Sequence, residues 1–165
     1  GVKATDANER AIRLGEQALA LEPGSAAAHK VISSAANDIA KAQIEAGADP
    51  SAAFTQALEH AQRTVELAAA APANQHLSFV YRTRADHEQA RGLDPRGSYQ
   101  LAIEASQKAL SMEEGDFAGW NATGLSHLFL GQWQLVHGDD PTTALKQAFD
   151  AFGKVAGRIR YGAEG

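Results

Sequence analysis

Apolar residues recur at spacings of three, four and seven through most of this chain. The pattern is clearest in residues 47–67, 92–112 and 138–158, which repeat one another and each open with Gly-x-Asp-Pro. The repeated apolar positions are Ala57, Leu58, Ala61, Val65 and Leu67; Ala102, Ile103, Ala109, Leu110 and Met112; and Ala148, Phe149, Phe152 and Val155. This spacing is typical of one buried face of an amphipathic helix. No stretch alternates with a period of two, so the pattern predicts an all-α protein.

Each Gly-x-Asp-Pro tetrapeptide predicts the end of one helix and the start of the next. Glycine takes the left-handed conformation that ends a helix, Asp accepts bonds from free N–H groups, and Pro fits the first helical position. Asp139 and Asp140 in the third copy are interpreted as a capping pair and not as a catalytic dyad. A link this short predicts that the two helices pack as an antiparallel hairpin.

A further helix is predicted before each break, over residues 27–46, 74–91 and 116–137. Ser33, Ser78 and Gly124 lie 17 residues before the three prolines, and their small size suits close packing within a hairpin. Residues 7–21 repeat the second-helix pattern without a first helix of their own. The expected architecture is therefore an α-α superhelix of about seven antiparallel helices.

The predicted domain organisation is a single repeat domain over residues 1–165. It consists of a half repeat (6–22) and three repeats, at about 26–69, 73–113 and 116–159. The chain begins in mid-pattern, so we expect a fragment of a larger protein. The tail, residues 161–165, has no pattern and is expected to fray.

Several stretches resemble the tetratricopeptide repeat. Residues 9–29, ERAIRLGEQALALEPGSAAAH, resemble the second helix and exit turn of that family, and residues 118–133, AGWNATGLSHLFLGQW, resemble its first helix. Trp120, Gly124 and Gly131 stand where the family has its Trp and two Gly residues. The resemblance implies a helical solenoid that binds protein partners.

The repeat length departs from the family pattern. The breaks lie 45 and 46 residues apart, whereas the usual unit has about 34 residues. This long variant with a Gly-x-Asp-Pro break resembles arrays attached to bacterial serine/threonine protein kinases. The chain itself carries no Gly-rich loop, His-Arg-Asp or Asp-Phe-Gly motif. The resemblance therefore implies a bacterial signalling protein rather than a kinase domain.

Composition limits the remaining classes of function. The 165 residues are 44% apolar, contain no Cys and carry a net charge of −5. The absence of Cys excludes disulfides and thiolate metal sites. The acidic balance argues against a nucleic-acid binder, which usually has a basic surplus. No apolar run approaches a membrane span and no signal peptide is visible, so we expect a cytoplasmic protein without a membrane partner.

Candidates for catalytic or metal chemistry are weak in this sequence. None of the six His has a second His at i+3 or i+4, and His127 is expected to face its hairpin partner as a partly buried, hydrogen-bonded core residue. Neighbours in a helix point about 100° apart, so the run Asp86-His87-Glu88 is interpreted as a solvated face. Ser and Thr residues lack a paired base. We therefore expect no enzyme activity, no metal site and no cofactor.

Four arginines lie within 15 residues and have two interpretations. They are Arg82, Arg84, Arg91 and Arg96. Interleaved acidic residues favour a solvated helix surface with ion pairs at helical spacing. The alternative is a contact to an acidic peptide or a phosphopeptide.

The resemblance to tetratricopeptide repeats implies that the first helix of each hairpin lines a concave groove. Large apolar side chains on such a surface suggest a partner site. Leu128 and Phe129 have an equally good alternative, namely packing between adjacent first helices. The projected groove residues are Lys30, Ser34, Asn37 and Asp38; Gln75, Phe79, Arg82 and Thr83; and Asn121, Leu125, Leu128 and Phe129.

The leading hypothesis is a non-catalytic protein-protein interaction module that holds a peptide or protein segment in this groove. Asn37, Gln75 and Asn121 would bond the ligand backbone, while Arg82 and Lys30 would attract carboxylates. The alternative is a structural spacer or self-association element that stacks through its array ends. The candidate contacts for stacking are Leu14, Phe149 and Phe152.

Overall fold

Seven α-helices follow one another in a computed structural model that describes the backbone of residues 2–162 and the side chains of residues 5–156. No β-strand occurs within these residues. The helices are α1 (Val2–Leu21), α2 (Ala26–Glu45), α3 (Ser51–Ala68), α4 (Ala71–Ala90), α5 (Arg96–Met112), α6 (Phe117–His137) and α7 (Thr142–Gly162). The all-α expectation is confirmed. Of the tail, Tyr161 and Gly162 belong to α7, and residues 163–165 lie outside the described part.

The three breaks have the conformation that their sequence predicts. Gly47, Gly92 and Gly138 have φ of +71°, +69° and +81°, in the left-handed region. The Asp of each break accepts a hydrogen bond from the backbone N–H two residues later, at 3.0 Å in all three copies. These bonds satisfy a free N–H of the first turn, and they lower the pKa of each carboxyl together with a side-chain bond from the same residue.

The hairpins form because small residues allow their two helices to approach closely. The Ser33 hydroxyl donates to the carbonyl of Ala57, and the Ser78 hydroxyl donates to that of Ala102, each over 2.7 Å. Both serines are fully buried. In the third hairpin the position belongs to Gly124, where a Cβ would lie 2.7 Å from the Phe152 ring. The predicted role of these three small residues is consistent with the packing.

The hairpins stack through their first helices. α2, α4 and α6 touch one another in order, whereas α3, α5 and α7 make no contact among themselves within the described residues. α3 and α5 each pack instead on their own first helix and on the first helix that follows, and α7 packs on α6. The layer of α2, α4 and α6 is the one that the resemblance to tetratricopeptide repeats places on the concave side, and it is called the concave side here.

The helix boundaries differ from the predicted ones at the start of α1, which begins at Val2 instead of residue 7, and at the start of α4. This helix begins at Ala71, three residues before the predicted start, because Pro72 occupies its first turn. The cap residue Ala70 has no side-chain hydrogen bond that a sequence pattern could reveal. In contrast, α2 and α6 are capped by Ser25 and Asp116, whose side chains accept backbone N–H bonds.

Candidate functional site

Phe79 forms the centre of the candidate site on the concave side. Its side chain is 38% exposed, although it lies in the middle of α4. The ammonium of Lys41 lies 4.9 Å from the ring centroid, and the guanidinium of Arg82 lies 5.6 Å from it. Cationic side chains from two adjacent first helices therefore lie beside the ring. This arrangement suits a ligand that combines an apolar side chain with a negative charge.

The two cations differ in how far they are neutralised. Lys41 also donates to Asp38 at 2.8 Å, one turn earlier on α2. Arg82 has no salt bridge to any of the described residues and is half-buried. The positive charge of Arg82 nevertheless acts on Asp86, one turn later on α4, where it opposes the rise in pKa that burial causes. Lys41 was not among the predicted groove residues, because its contact with Phe79 crosses between helices that are distant in sequence.

Lys30, Ser34 and Asp38 lie together on α2. They line a shallow depression between α1 and α2, with Asn8 and Ala11 on the opposite wall. Ser34 is half-buried, and Lys30 and Asp38 are exposed. These three predicted residues therefore share a surface, but its other wall belongs to α1.

Asn37 lies inside the array. It is only 1% exposed, and its Oδ1 accepts no hydrogen bond from the described residues. We expected this side chain on the groove to bond a ligand backbone. An error of one residue in the predicted register rotates a helical position by about 100°. This is enough to assign a residue of the interior to the groove surface.

Gln75 and Thr83, the other predicted residues of α4, are half-buried and already hydrogen-bonded. Gln75 donates to the carboxylate of Asp116, the residue that caps α6. The Thr83 hydroxyl donates to the carbonyl of Phe79 at 3.0 Å. Gln75 therefore joins two first helices, and Thr83 bonds within its own helix.

Asn121, Leu125, Leu128 and Phe129 of α6 are all half-buried. The Phe129 ring lies 6.4 Å from that of Tyr99 on α5, at an interplanar angle of 37°. Because α5 is a second helix, this contact is not the packing between adjacent first helices that was the alternative for Phe129.

A half-buried imidazole, His76, links the first two hairpins. His76 Nε2 lies 2.7 Å from the Ser33 hydroxyl oxygen. Since that hydroxyl donates to Ala57, its oxygen is free to accept from Nε2–H of a neutral His76. Burial lowers the pKa of His76, and the positive charge of Lys30 lowers it further. His76 therefore joins α2 to α4 as a neutral ring.

A pair of imidazoles in contact was not predicted. His29 Nδ1 and His60 Nδ1 lie 2.9 Å apart across the first hairpin. Burial lowers the pKa of His60, and repulsion from His29 adds to this effect. No group of three or more His, Cys, Asp or Glu residues is arranged to hold a metal ion in the described part of the chain. No pattern within one helix could reveal the pair, because its members lie 31 residues apart.

The remaining arginines of the predicted cluster are mostly paired, as on a solvated helix surface. Arg84 bonds Glu88 at 2.8 Å, one turn later on α4. Arg96 bonds Asp94 at 2.7 Å and lies 3.6 Å from Asp139. Its guanidinium also stacks 4.9 Å from the centre of Trp133. This part of the cluster fastens the start of α5 to the end of α6.

His127 is buried, as expected, and burial lowers its pKa. Its Nδ1 has no hydrogen-bond partner among the described residues, although we expected a hydrogen-bonded ring. No helix in the described part of the chain is long and apolar enough to span a lipid bilayer. Among the first helices, α4 thus presents an exposed aromatic ring, Phe79, with two cations beside it.

Taken together, the hairpins and their stacking define an all-α solenoid of the tetratricopeptide-repeat type. No protein-family model matches the sequence, and no curated protein is significantly similar to it. Among solved structures, the chain is similar to a crystal structure of MamA, with a TM-score of 0.67 and 21% sequence identity over 96% of this chain and 72% of that one. A second structure of the MamA protein gives a TM-score of 0.63 and 19% identity, over 95% of this chain and 67% of the other. At these identities the similarity shows the fold alone.

Proposed function

We propose that this protein is a non-catalytic protein-protein interaction module that binds a peptide or protein segment along its first helices. The observation that carries the proposal is Phe79, an exposed ring on the concave side with cations from two helices beside it. An exposed aromatic residue on a concave surface is typical of a binding site. The helical-repeat fold supports the same class of function.

The chemistry around Phe79 favours a segment that combines an apolar side chain with a carboxylate. The apolar group would pack on the ring and on Leu125, and the carboxylate would bind Arg82. Arg82 forms no salt bridge with the described residues, and its electrostatic interaction with Asp86 is the one that a ligand carboxylate would compete with. Charge-assisted hydrogen bonds from a guanidinium to a carboxylate are among the stronger polar contacts in proteins.

The test is a pull-down from lysate of the source organism, read by mass spectrometry. The baits are the wild type, the double variant Phe79→Ala/Arg82→Glu, and the control Leu101→Ala/Arg91→Glu. The control removes an exposed apolar residue and a cation from outside the groove. We expect partners that the wild type and the control capture and that the groove variant loses.

The same partner list for all three baits, with matched circular dichroism melts, would contradict the groove proposal. Binding of a captured partner can then be measured by calorimetry as the salt concentration rises. If Arg82 binds a carboxylate, affinity falls with salt in the wild type more steeply than in Arg82→Glu.

The proposed setting is a regulatory or scaffolding region of a cytoplasmic bacterial signalling protein. Its support is the resemblance of the long repeats and their Gly-x-Asp-Pro breaks to the arrays of bacterial kinases.

A second candidate function, self-association through an array end, is favoured by Phe149. This side chain is 78% exposed, whereas the equivalent Leu58 and Ile103 are buried under the next first helix. Leu135 and Val136 on α6 are exposed as well. Phe152, expected at this contact, packs against Gly124 inside the hairpin, so it does not belong to the end surface.

Light scattering over a range of protein concentrations tests this second function. Self-association through the end predicts a mass that rises with concentration in the wild type and stays monomeric in Phe149→Glu. A wild type that remains monomeric throughout would rule the contact out.

A further inference from the structure

Two imidazoles meet inside the first hairpin, at a position where the other two hairpins have none. His29 lies in the first turn of α2, and His60 lies in the middle of α3. The equivalent pairs, one and two repeats later, are Asn74 with Ala105 and Trp120 with Ala151. Because two hairpins pack without an imidazole at this position, packing alone does not account for the pair.

The two rings point nitrogen atoms at each other. Their Nδ1 atoms lie 2.9 Å apart, their centroids lie 4.9 Å apart, and their planes are inclined by 40°. Neither imidazole forms another hydrogen bond with the described residues. Since a neutral imidazole has one N–H and one nitrogen lone pair, one ring can donate to the other. These nitrogens are also the atoms through which histidine binds metal ions.

The separation of the two nitrogens matches that of neighbouring ligands on one metal ion. At metal–nitrogen distances of about 2.0–2.1 Å, nitrogens 2.9 Å apart subtend an angle of about 90° at the ion. This is the angle between adjacent ligands in tetragonal complexes of Cu²⁺ and Ni²⁺. The tetrahedral geometry of Zn²⁺ requires a separation of about 3.3 Å. The pair therefore suits Cu²⁺ or Ni²⁺ better than Zn²⁺.

The charges around the pair also suit a cation. The imidazoles border a depression of about 300 Å³, whose other lining residues lie on α3 and are Glu59, Gln62, Arg63 and Glu66. Arg63, the only cationic residue among them, is paired with Glu66 at 2.6 Å. The carboxylate of Glu59 therefore leaves the depression with an excess of negative charge. Its volume has room for an ion together with water ligands.

The protonation state of the pair is compatible with metal binding. Burial lowers the pKa of His60 and repulsion from His29 adds to this effect, while the carboxylates of Glu59 and Glu16 oppose it. The neutral imidazole is the form that binds a metal ion. Two neutral rings lose no net proton on binding, because the donor ring only moves its proton from Nδ1 to Nε2.

We propose that His29 and His60 form a binding site for a divalent transition-metal ion, Cu²⁺ or Ni²⁺ in preference to Zn²⁺, which ties α2 to α3. The described residues contain no group of three or more His, Cys, Asp or Glu suited to a metal ion, so water completes the coordination of these two ligands. Two coordination bonds then replace one hydrogen bond between the helices. The site shares no residue with the surface around Phe79, so the proposal does not depend on peptide binding there.

Isothermal titration calorimetry of the protein without a histidine tag tests the proposal, with Cu²⁺, Ni²⁺, Zn²⁺ and Mg²⁺ as separate probes at pH 7.5. The main variant is His29→Asn/His60→Ala, which installs the residues that the second hairpin has at these positions, Asn74 and Ala105. This hairpin should therefore still fold, and circular dichroism checks it. The control is His137→Ala, which removes an exposed imidazole near the end of α6.

We expect the wild type and His137→Ala to bind one ion per chain, more tightly for Cu²⁺ and Ni²⁺ than for Zn²⁺, and to bind no Mg²⁺. The double variant should bind Ni²⁺ more than about tenfold more weakly, because loss of a ligand costs at least as much as loss of a ligand's own partner. The melting temperature should rise with Ni²⁺ in the wild type and stay constant in the double variant. The EPR spectrum of the Cu²⁺ form should show hyperfine coupling to two imidazole nitrogens.

Two results would overturn the proposal. Absence of saturable Cu²⁺ and Ni²⁺ binding by the folded wild type would mean that the two imidazoles form only a hydrogen bond. Equal affinity of the wild type and the double variant, with matched circular dichroism spectra, would place the ion elsewhere on the chain.

Discussion

Gly15 and Gly153 are both helical glycines, but their surroundings are opposite. A Cβ on Gly15 would lie 2.5 Å from Cγ1 of Ile32, a fully buried side chain, whereas a Cβ on Gly153 would meet nothing within 4 Å. Alanine at Gly153 gains helix propensity of roughly 0.5–1 kcal/mol. Alanine at Gly15 gains the same propensity but overpacks the contact between α1 and α2, at a cost of about 1–3 kcal/mol.

We therefore expect Gly153→Ala to raise the free energy of unfolding and Gly15→Ala to lower it. Urea titration followed by circular dichroism measures both. A stabilising Gly15→Ala would mean that Ile32 can move aside, and that α1 is less tightly packed on α2 than the distance indicates.

Three imidazoles predict how stability depends on pH. Burial is the main cause that lowers the pKa of His60, His76 and His127 below the ordinary value of 6.5. The unfolded chain therefore binds more protons than the folded one as the pH falls below 6.5, and the stability that these neutral rings contribute declines. The three capping carboxylates affect stability only at more acidic pH, because their pKa values are lowered from the ordinary 3.8.

The variant His127→Gln isolates one of these rings. Its free energy of unfolding should change less between pH 7.5 and pH 5 than that of the wild type, since one titrating group has been removed. Urea titrations at the two pH values provide the comparison. An unchanged pH dependence would show that His127 contributes nothing to it.

Each hairpin is held together at the point where its helices cross. The Ser78 hydroxyl is buried and bonded to Ala102 on the facing helix. Ser78→Ala should lower the free energy of unfolding by about 0.5–1.5 kcal/mol, the usual net value of one hydrogen bond. The control Ser111→Ala removes an exposed hydroxyl that bonds only within its own helix, and it should change stability little.

The order of helices could be predicted because its determinants are local. Gly92, Asp94 and Pro95 are neighbours in sequence, and together they end one helix and begin the next. The start of α4 could not be placed, because Ala70 gives no capping signal. The presence of each helix could therefore be predicted from patterns within a few residues, whereas the start of α4 could not, because it depends on packing.

The candidate site was less predictable, because its contacts join separate helices. Phe79 and Arg82 were found through their spacing in α4, but Lys41 comes from α2. The contact of Phe129 with Tyr99 likewise requires the relative rotation of α5 and α6. The helical period alone does not determine how each helix is rotated about its axis relative to its neighbours. Asn37 shows the result: a small error in this rotation placed a buried residue on the groove.

The number of helices that each helix contacts is smallest at the two ends of the array and largest in its middle. Within the described residues α1 contacts only α2, and α7 contacts only α6, whereas α4 packs against α2, α3, α5 and α6. In a repeat protein each unit is stabilised by its own packing and by adjacent units, so the two ends should open at lower free energy than the centre.

Hydrogen exchange read by mass spectrometry tests this gradient. We expect backbone amides of α1 and α7 to exchange fastest and those of α3 to α5 to exchange slowest. Equal protection of all seven helices would contradict the gradient, because it would mean that the array opens only as a single unit.

The three identical breaks also bear on how such a molecule could change during evolution. Each break reverses the chain with residues of its own, and every interior hairpin presents one face to the hairpin before it and the matching face to the hairpin after it. A duplicated copy of residues 70–115 would therefore find compatible neighbours on both sides at once. Insertion or loss of a whole hairpin would leave the remaining contacts intact, so the length of the array can vary in steps of one hairpin while its fold is kept.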